Sequence, residues 1–316
     1  MGKNKTRLQQ NNTDLQAIKV TVEGLPVLPT PQVVTIDGVQ HSENLAFESK
    51  LVDLKSVDLP YNFYSGSAVI LNGEIHILGG GGDNTKHYKF NGTSWTSVST
   101  LPYAFRWSSA VVLNGEIHIL GSDSGAQEKK HYKFNGTSWV QVSTLPFSFY
   151  RGSAVVLNGE IHILAGLGGS SHTEHYKFNG TSWTSVSTLP FSFYDGSAVV
   201  LDGEIHIVKS VRHYKFNGTS WGQVSTLPYS FSYGSAVVLN GEIHILGSNE
   251  TVDHTKHYKF NRTSWTSVST LPYRFDAGSA VVLNGEIHIL GGRSKSTYGD
   301  EITYHYLIAI TLYALT

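Results

Sequence analysis

The stretch GSAVVLNGEIHILAG at residues 152–166, with HYKFNGTSW following at 175–183, decides the fold. Val155, Val156 and Leu157 form a short β-branched run, Asn158-Gly159 follows, and Glu160 to Leu164 is a second apolar-rich run. Asn-Gly tolerates the positive φ angles of a type I′ turn, so the two runs predict a two-residue hairpin. After a variable gap, His175 to Phe178 reads as a third strand, Asn179-Gly180 as a second tight turn, and Thr181 to Val186 as a fourth strand. One such four-stranded antiparallel meander cannot bury both of its faces alone; stacking copies side by side buries them.

The copies can be counted. The EIH core places histidines at His76, His118, His162, His206, His244 and His288, with spacings of 42, 44, 44, 38 and 44 residues. The tryptophan that opens the fourth strand occurs only at Trp95, Trp139, Trp183, Trp221 and Trp265, so the sixth copy lacks a fourth strand. Lys50 to Val57, just ahead of the first hairpin, stands where a fourth strand belongs, and Ile302 to Leu315 alternates enough to supply the sixth copy's third. Pairing these would tie a ring shut and remove the open sheet edge between the terminal copies.

The phrase ending in Gly79-Gly80, then an aromatic-rich strand, a spaced Trp95 and Leu101-Pro102, resembles the kelch repeat over roughly residues 50 to 310. The resemblance implies an all-β fold, a six-bladed kelch-type β-propeller of four-stranded blades at residues 49–316 behind an extension at 1–48. Two features depart from the repeat. The double glycine is kept only in the first and sixth copies, and aromatics such as Phe63 and Phe149 stand where the family commonly has arginine after Leu-Pro.

The chain has 316 residues, 40% hydrophobic and 15% charged, with a net charge of −1 and no cysteine. That balance gives no electrostatic grip on nucleic acid or anionic lipid, and it excludes disulfides and thiolate metal sites. Neither a nucleic-acid partner nor membrane insertion is expected. Asn91-Gly92-Thr93 and its copies match the glycosylation sequon, but no amino-terminal signal peptide is visible and turn chemistry explains the residues.

Ahead of the repeats, Asn12-Thr13-Asp14 can cap a short helix beginning at Leu15. Pro26, Pro29 and Pro31 read as a stiff connector, and Val33 to His41 as a small hairpin around Asp37-Gly38. NNTDLQAI followed by GLP resembles a phrase of tail and minor structural proteins of phages infecting Gram-positive gut bacteria. That resemblance implies attachment to other tail or baseplate proteins through the extension, a homo-oligomer and a virion location; the alternatives are a cytoplasmic kelch scaffold that binds a protein partner and, ranked below it, a carbohydrate-active propeller enzyme.

In a four-stranded meander, the turns joining strands one to two and three to four lie at one end. The two-to-three loop and the crossing to the next blade lie at the other. The Asn-Gly turns therefore share one nearly uniform rim, and the other rim carries what differs between copies. The crossings read Tyr64-Ser65, Arg106-Trp107, Tyr150-Arg151, Tyr194-Asp195, Ser232-Tyr233 and Asp276-Ala277. They lead into the innermost strands and ring the mouth of a central channel, a concave place suited to ligands. Tyr64, Arg106, Trp107, Tyr150, Arg151, Tyr194, Asp195, Tyr233 and Asp276 are thus the candidate ligand-binding residues, because rigid rings and short polar groups are the vocabulary of recognition surfaces. Stacked rings suit sugars and the polar groups suit their hydroxyls, so the expected partner is a host-surface glycan or protein.

No catalytic residue, metal or cofactor is expected. A Glu and a His at i, i+2 point to one side of a strand and can bind metal, yet the same pair in every copy is what a packing rule produces. The template histidines are read as bonding between neighbouring blades, and His41, His172 and His254 as isolated and solvated. No Ser-His-Asp order stands out, Gly79 to Gly82 introduces no helix that would cradle a phosphate, and loop acids such as Asp300-Glu301 read as solvated.

Overall fold

Ser153–Leu157 and Glu160–Leu164 pair antiparallel with Leu157 opposite Glu160. The two residues between them, Asn158 and Gly159, have φ of 51° and 75°, as a type I′ hairpin requires. The second turn differs from expectation. Phe178 faces Trp183, so a four-residue loop separates His175–Phe178 from Trp183–Ser185, and the fourth strand begins two residues later than the sequence suggests. The Asn179 side chain sets that loop, its Oδ1 accepting the amides of Thr181 at 3.0 Å and Ser182 at 2.9 Å. Asparagine closes this turn with its own carboxamide, which is why Asn261-Arg262 substitutes for Asn-Gly with the same two bonds.

The computed structural model describes residues 34–36, 39–41 and 54–310, less 82–83, 124, 170, 248–253, 296–300 and 304–305. Lys50–Thr316 forms one compact unit. Its innermost strands are Ser67–Leu71, Ser109–Leu113, Ser153–Leu157, Ser197–Leu201, Ser235–Leu239 and Ser279–Leu283, each beside the next and the last beside the first. The chain is an all-β propeller, its blades numbered 1 to 6 in that order.

Five blades are four-stranded sheets, and blade 4 has three strands because Glu204–Phe216 runs unbroken. That strand doubles back at Ser210, where φ is 49°. His206 meets His213 at 2.8 Å and Lys215 meets Glu204 at 2.8 Å, the pairs that join second to third strands in other blades. The shortened loop accounts for the 38-residue spacing.

Blade 6 is closed from the front of the chain. Leu54–Asp58 pairs with Tyr306–Ile310, which pairs with Glu286–Leu290, as the missing fourth strand demanded. Leu54 lies opposite Ile310, and Ile310 opposite Ile287, two residues past the Asn284-Gly285 turn. The chain thus enters the propeller at the Asn-Gly rim. In the unit before it, Val34–Ile36 pairs with Val39–His41 around Asp37-Gly38. The helix expected at Leu15, the proline connector and the His41 side chain lie outside the described residues.

Between blades, the isoleucines of one second strand and the aromatic of its third pack on the inner strand of the blade before. Ile117, Ile119 and Phe134 of blade 2 pack against Val69, Leu71 and Leu78 of blade 1, for example. Both isoleucines are fully buried in all six blades, each contributing about 1.5–3 kcal/mol. The aromatics standing where arginine was expected are core wedges: Phe63, Phe105, Phe149, Phe193, Phe231 and Phe275 have no exposure. Their carbonyls explain the glycines. Gly79 has φ of 60°, a Cβ there would run into the Phe105 carbonyl oxygen, and the Gly80 amide donates to that oxygen at 2.8 Å.

Candidate functional site

Two residues past each wedge lie Ser65, Trp107, Arg151, Asp195, Tyr233 and Ala277, six different side chains on one backbone conformation with φ from 51° to 58°. Their main chains form a closed ring. Trp107 N–H donates to Ser65 O at 2.6 Å, Arg151 to Trp107 at 2.6 Å, Asp195 to Arg151, Tyr233 to Asp195 and Ala277 to Tyr233 at 2.8 Å, and Ser65 to Ala277 at 2.6 Å. One residue from every blade is thereby fixed at the channel mouth. A layer deeper, the inner-strand serines Ser67, Ser153, Ser197, Ser235 and Ser279 each accept the Ala amide of the adjacent blade at 3.0–3.1 Å.

Three side chains close over this mouth. Trp107 in blade 2 and Tyr233 in blade 5 come from opposite sides and meet edge-on with centroids 5.4 Å apart. The Arg151 guanidinium lies 4.7 Å from the Trp107 ring and 5.5 Å from the Tyr233 ring, and its Nη1 donates to the Tyr233 hydroxyl at 2.8 Å. The same Nη1 is 3.5 Å from Asp195 Oδ2. Burial raises the Asp195 pKa above the usual carboxylate range, opposed by a hydrogen bond from Tyr233 and the charges of Arg151 and Lys209. Tyr233 is pushed up to about 12, first by burial and then by Asp195. Ser65 and Ala277, in blades 1 and 6, are too small to reach the lid and leave its gap. Beneath lies a cavity of about 160 Å³ walled by these six residues, by the residue after each (glycine in five blades, Ser108 in blade 2), and by Ser109, Ser153 and Ser197.

The other crossing residues stand outside this ring. Arg106 is exposed and pairs with Asp123 at 2.7 Å, in the loop of its own blade. Tyr194 carries the Lys209 ammonium over its ring and lies 5.9 Å from His172. Tyr150 is half-buried, its carbonyl bonded to the Leu167 amide. Tyr64 reaches the mouth through Arg293, whose guanidinium lies 5.6 Å from Tyr64 and 5.1 Å from Trp107. Asp276 is buried, and its carbonyl takes the Arg293 amide. Of nine residues singled out in the sequence, the structure joins Trp107, Arg151, Asp195 and Tyr233 directly. Sequence reasoning missed Arg293 and Lys209, which sit at the roots of the variable loops it had marked. His172 is not isolated, since its Nδ1 lies 2.8 Å from the Gly166 carbonyl oxygen. His254 is half-buried, and its carbonyl accepts the Phe275 amide.

Away from the mouth, the template histidines of blades 1 to 5 form pairs inside their own blade. His76 Nδ1 lies 2.8 Å from His87 Nε2, and His87 Nδ1 lies 3.0 Å from Ser99 Oγ. The next blade hydrogen-bonds to this chain at Ser99, which accepts the indole N–H of Trp139 at 3.0 Å, and packs the Phe134 and Trp139 rings edge-on against His87. The chain recurs through Ser143 to Trp183 and through Ser225 to Trp265. In blades 1 to 4 burial lowers the inner histidine of the pair to about 4 and the outer to about 3, which keeps both neutral. Glu74 is held by Lys89 at 2.8 Å, so the carboxylate of the Glu-His row is engaged by a cation. Among the described residues no group of three His, Cys, Asp or Glu is placed to hold a metal ion, and no helix is long and apolar enough to cross a membrane.

No protein-family model and no curated protein matches the sequence. Among solved structures, one described as "Structure of YjhT" superposes with a TM-score of 0.70 at 15% identity, covering 81% of this chain and 96% of that one. This likeness supports the propeller fold.

Proposed function

We propose that the protein is a non-enzymatic binding module that recognises a surface glycan or a surface protein with the rim bearing the crossings and the variable loops. The observation that carries this reading is the convergence of Trp107, Arg151, Asp195 and Tyr233 over the channel mouth, where side chains from four of the six crossings contact one another in series. The first strand of the propeller unit, Leu54–Asp58, begins at the opposite rim. On this reading the phrase NNTDLQAI…GLP sets the module on a phage tail, the extension meeting tail or baseplate proteins and the propeller facing the host, as a virion component.

A glycan array probed with the full chain and with Trp107→Ala and Tyr150→Ala tests it. Binding that falls at least tenfold in Trp107→Ala supports the mouth as the recognition centre, whereas undiminished binding in both variants removes these aromatics from the site. Electron microscopy of the particle tests orientation, and a variable rim packed against the tail body overturns the assignment.

A further inference from the structure

Two polar atoms at the mouth are buried and lack hydrogen-bond partners, namely Asp195 Oδ1 and Ser65 Oγ. Asp195 and Ser65 come from blades 4 and 1, opposite each other in the ring, and both line the cavity. The Asp195 side chain is only 6% exposed. A buried carboxylate oxygen without a donor is unfavourable, and a ligand supplying the donor removes that cost. The charge nearby says which donor fits. Arg151 already faces the other carboxylate oxygen at 3.5 Å, so a second cation would be repelled and an anion would meet Asp195. What remains is a neutral group rich in O–H.

The surrounding wall has the same chemistry. Ser153 and Ser197 line the cavity and accept amide protons, which leaves their own hydroxyl hydrogens free to donate. A cavity of about 160 Å³ is on the scale of one that holds a single six-membered ring. Above it, Trp107 and Tyr233 offer apolar ring surface of the kind that packs on the C–H face of a sugar.

Resting on the binding-module reading, the geometry points to the cavity under Trp107 and Tyr233 as a subsite for one neutral, terminal monosaccharide unit, with hydroxyls donated to Asp195 Oδ1 and shared with Ser65 Oγ. A longer glycan presents its end here, entering beside Arg293 on the side of Ser65 and Ala277.

The test titrates the full chain with galactose and N-acetylglucosamine as neutral probes, glucosamine as the cationic one and glucuronate as the anionic one. It follows tryptophan fluorescence and saturation-transfer NMR. We expect at least one neutral sugar to bind on the millimolar scale typical of single weak sites, with about a tenfold loss in Asp195→Asn, a smaller loss in Ser65→Ala and weaker binding of both charged sugars. Thermal melts confirm that each variant is folded, and the two substitutions on opposite walls guard against one local distortion. Absence of binding by every sugar up to about 100 mM overturns the subsite, as does tighter binding of a charged sugar. If the array shows binding that Trp107→Ala abolishes but Asp195→Asn and Ser65→Ala leave intact, the rim recognises its ligand and the cavity does not. If the array shows none, the glycan form of the module reading fails, and the monosaccharide titration still decides the cavity.

Discussion

Acid should unfold this propeller well above the range where carboxylates titrate, and the perturbation needed is only a shift from pH 7.5 to pH 5. Eight described histidines, at 76, 87, 118, 131, 162, 175, 206 and 213, have pKa values lowered by burial from 6.5 to about 4 or about 3. Each folded value lies below the unfolded one, so the unfolded chain binds more protons and stability falls as pH drops from 6.5 toward the folded values. Above pH 7 both states are neutral and the contribution is flat. One pH unit is worth about 1.4 kcal/mol per group, which gives about 0.8 kcal/mol for each histidine at pH 6 and about 2 kcal/mol at pH 5. Summed over eight, the loss is about 7 kcal/mol at pH 6 and about 16 kcal/mol at pH 5, against a usual domain stability of 5–15 kcal/mol.

The transition is therefore expected between pH 6 and 5. Urea unfolding followed by tryptophan fluorescence across pH 7.5 to 4.5 measures it directly, because four of the five template indoles report on neighbouring histidine pairs. An unchanged urea midpoint down to pH 5 would refute the buried, neutral assignment. Replacing His118 and His131 together by Leu and Phe should shrink the pH dependence by about two protons, since that pair alone would cease to titrate.

Ser143→Ala orphans the Trp183 indole N–H and should cost about 1–3 kcal/mol, whereas Ser187→Ala should cost nothing measurable, because Ser187 Oγ and His175 Nδ1 of blade 3 and Trp221 Nε1 of blade 4 already lack partners. Gly79→Ala must move the backbone of Phe105 as well as adopt positive φ, and should cost about 3 kcal/mol or more, while Gly73→Ala, with φ of 77° and open space, should cost about 1 kcal/mol; chemical denaturation separates the two. Deleting residues 1–58 removes the strand paired with Tyr306–Ile310 and exposes the edge of blade 6, so the melting temperature should drop and the protein should self-associate in light scattering. An unaltered monomeric melt would show that closure adds no stability.

The period of the EIH phrase, the Asn-Gly hairpin and the absence of a sixth tryptophan were enough to foresee a ring closed by a strand from its own front, because strand pairing is dictated by pattern and count. Less visible was anything that depends on main-chain bonds. The four-residue loop after Phe178 reads as a two-residue turn until the Asn179 carboxamide is seen accepting two amides. The ring of amides from Ser65 to Ala277 leaves no residue signature at all, since serine, tryptophan, arginine, aspartate, tyrosine and alanine occupy equivalent places in it. Of the mouth, sequence parity placed the crossings on one rim. It could not show that blades 2 and 5 face each other closely enough for Trp107 to touch Tyr233, nor that Arg293 comes in from the last loop.

That missing signature is itself the physical reason the mouth is free to vary. The six bonds joining the blades there are all main chain to main chain, so any side chain is compatible with them provided its backbone accepts φ near 55°. Glycine accepts that conformation most readily, and a bulky residue pays on the order of 1 kcal/mol for it. Selection for stability alone would fill these positions with glycine or asparagine, and not one of the six is either. Trp107→Gly should therefore leave the melting temperature unchanged or raise it while weakening ligand binding at least tenfold, a separation of stability from recognition that core positions such as Phe105 cannot show. A loss of about 2 kcal/mol or more in Trp107→Gly would mean that the tryptophan is part of the packing that holds the propeller together.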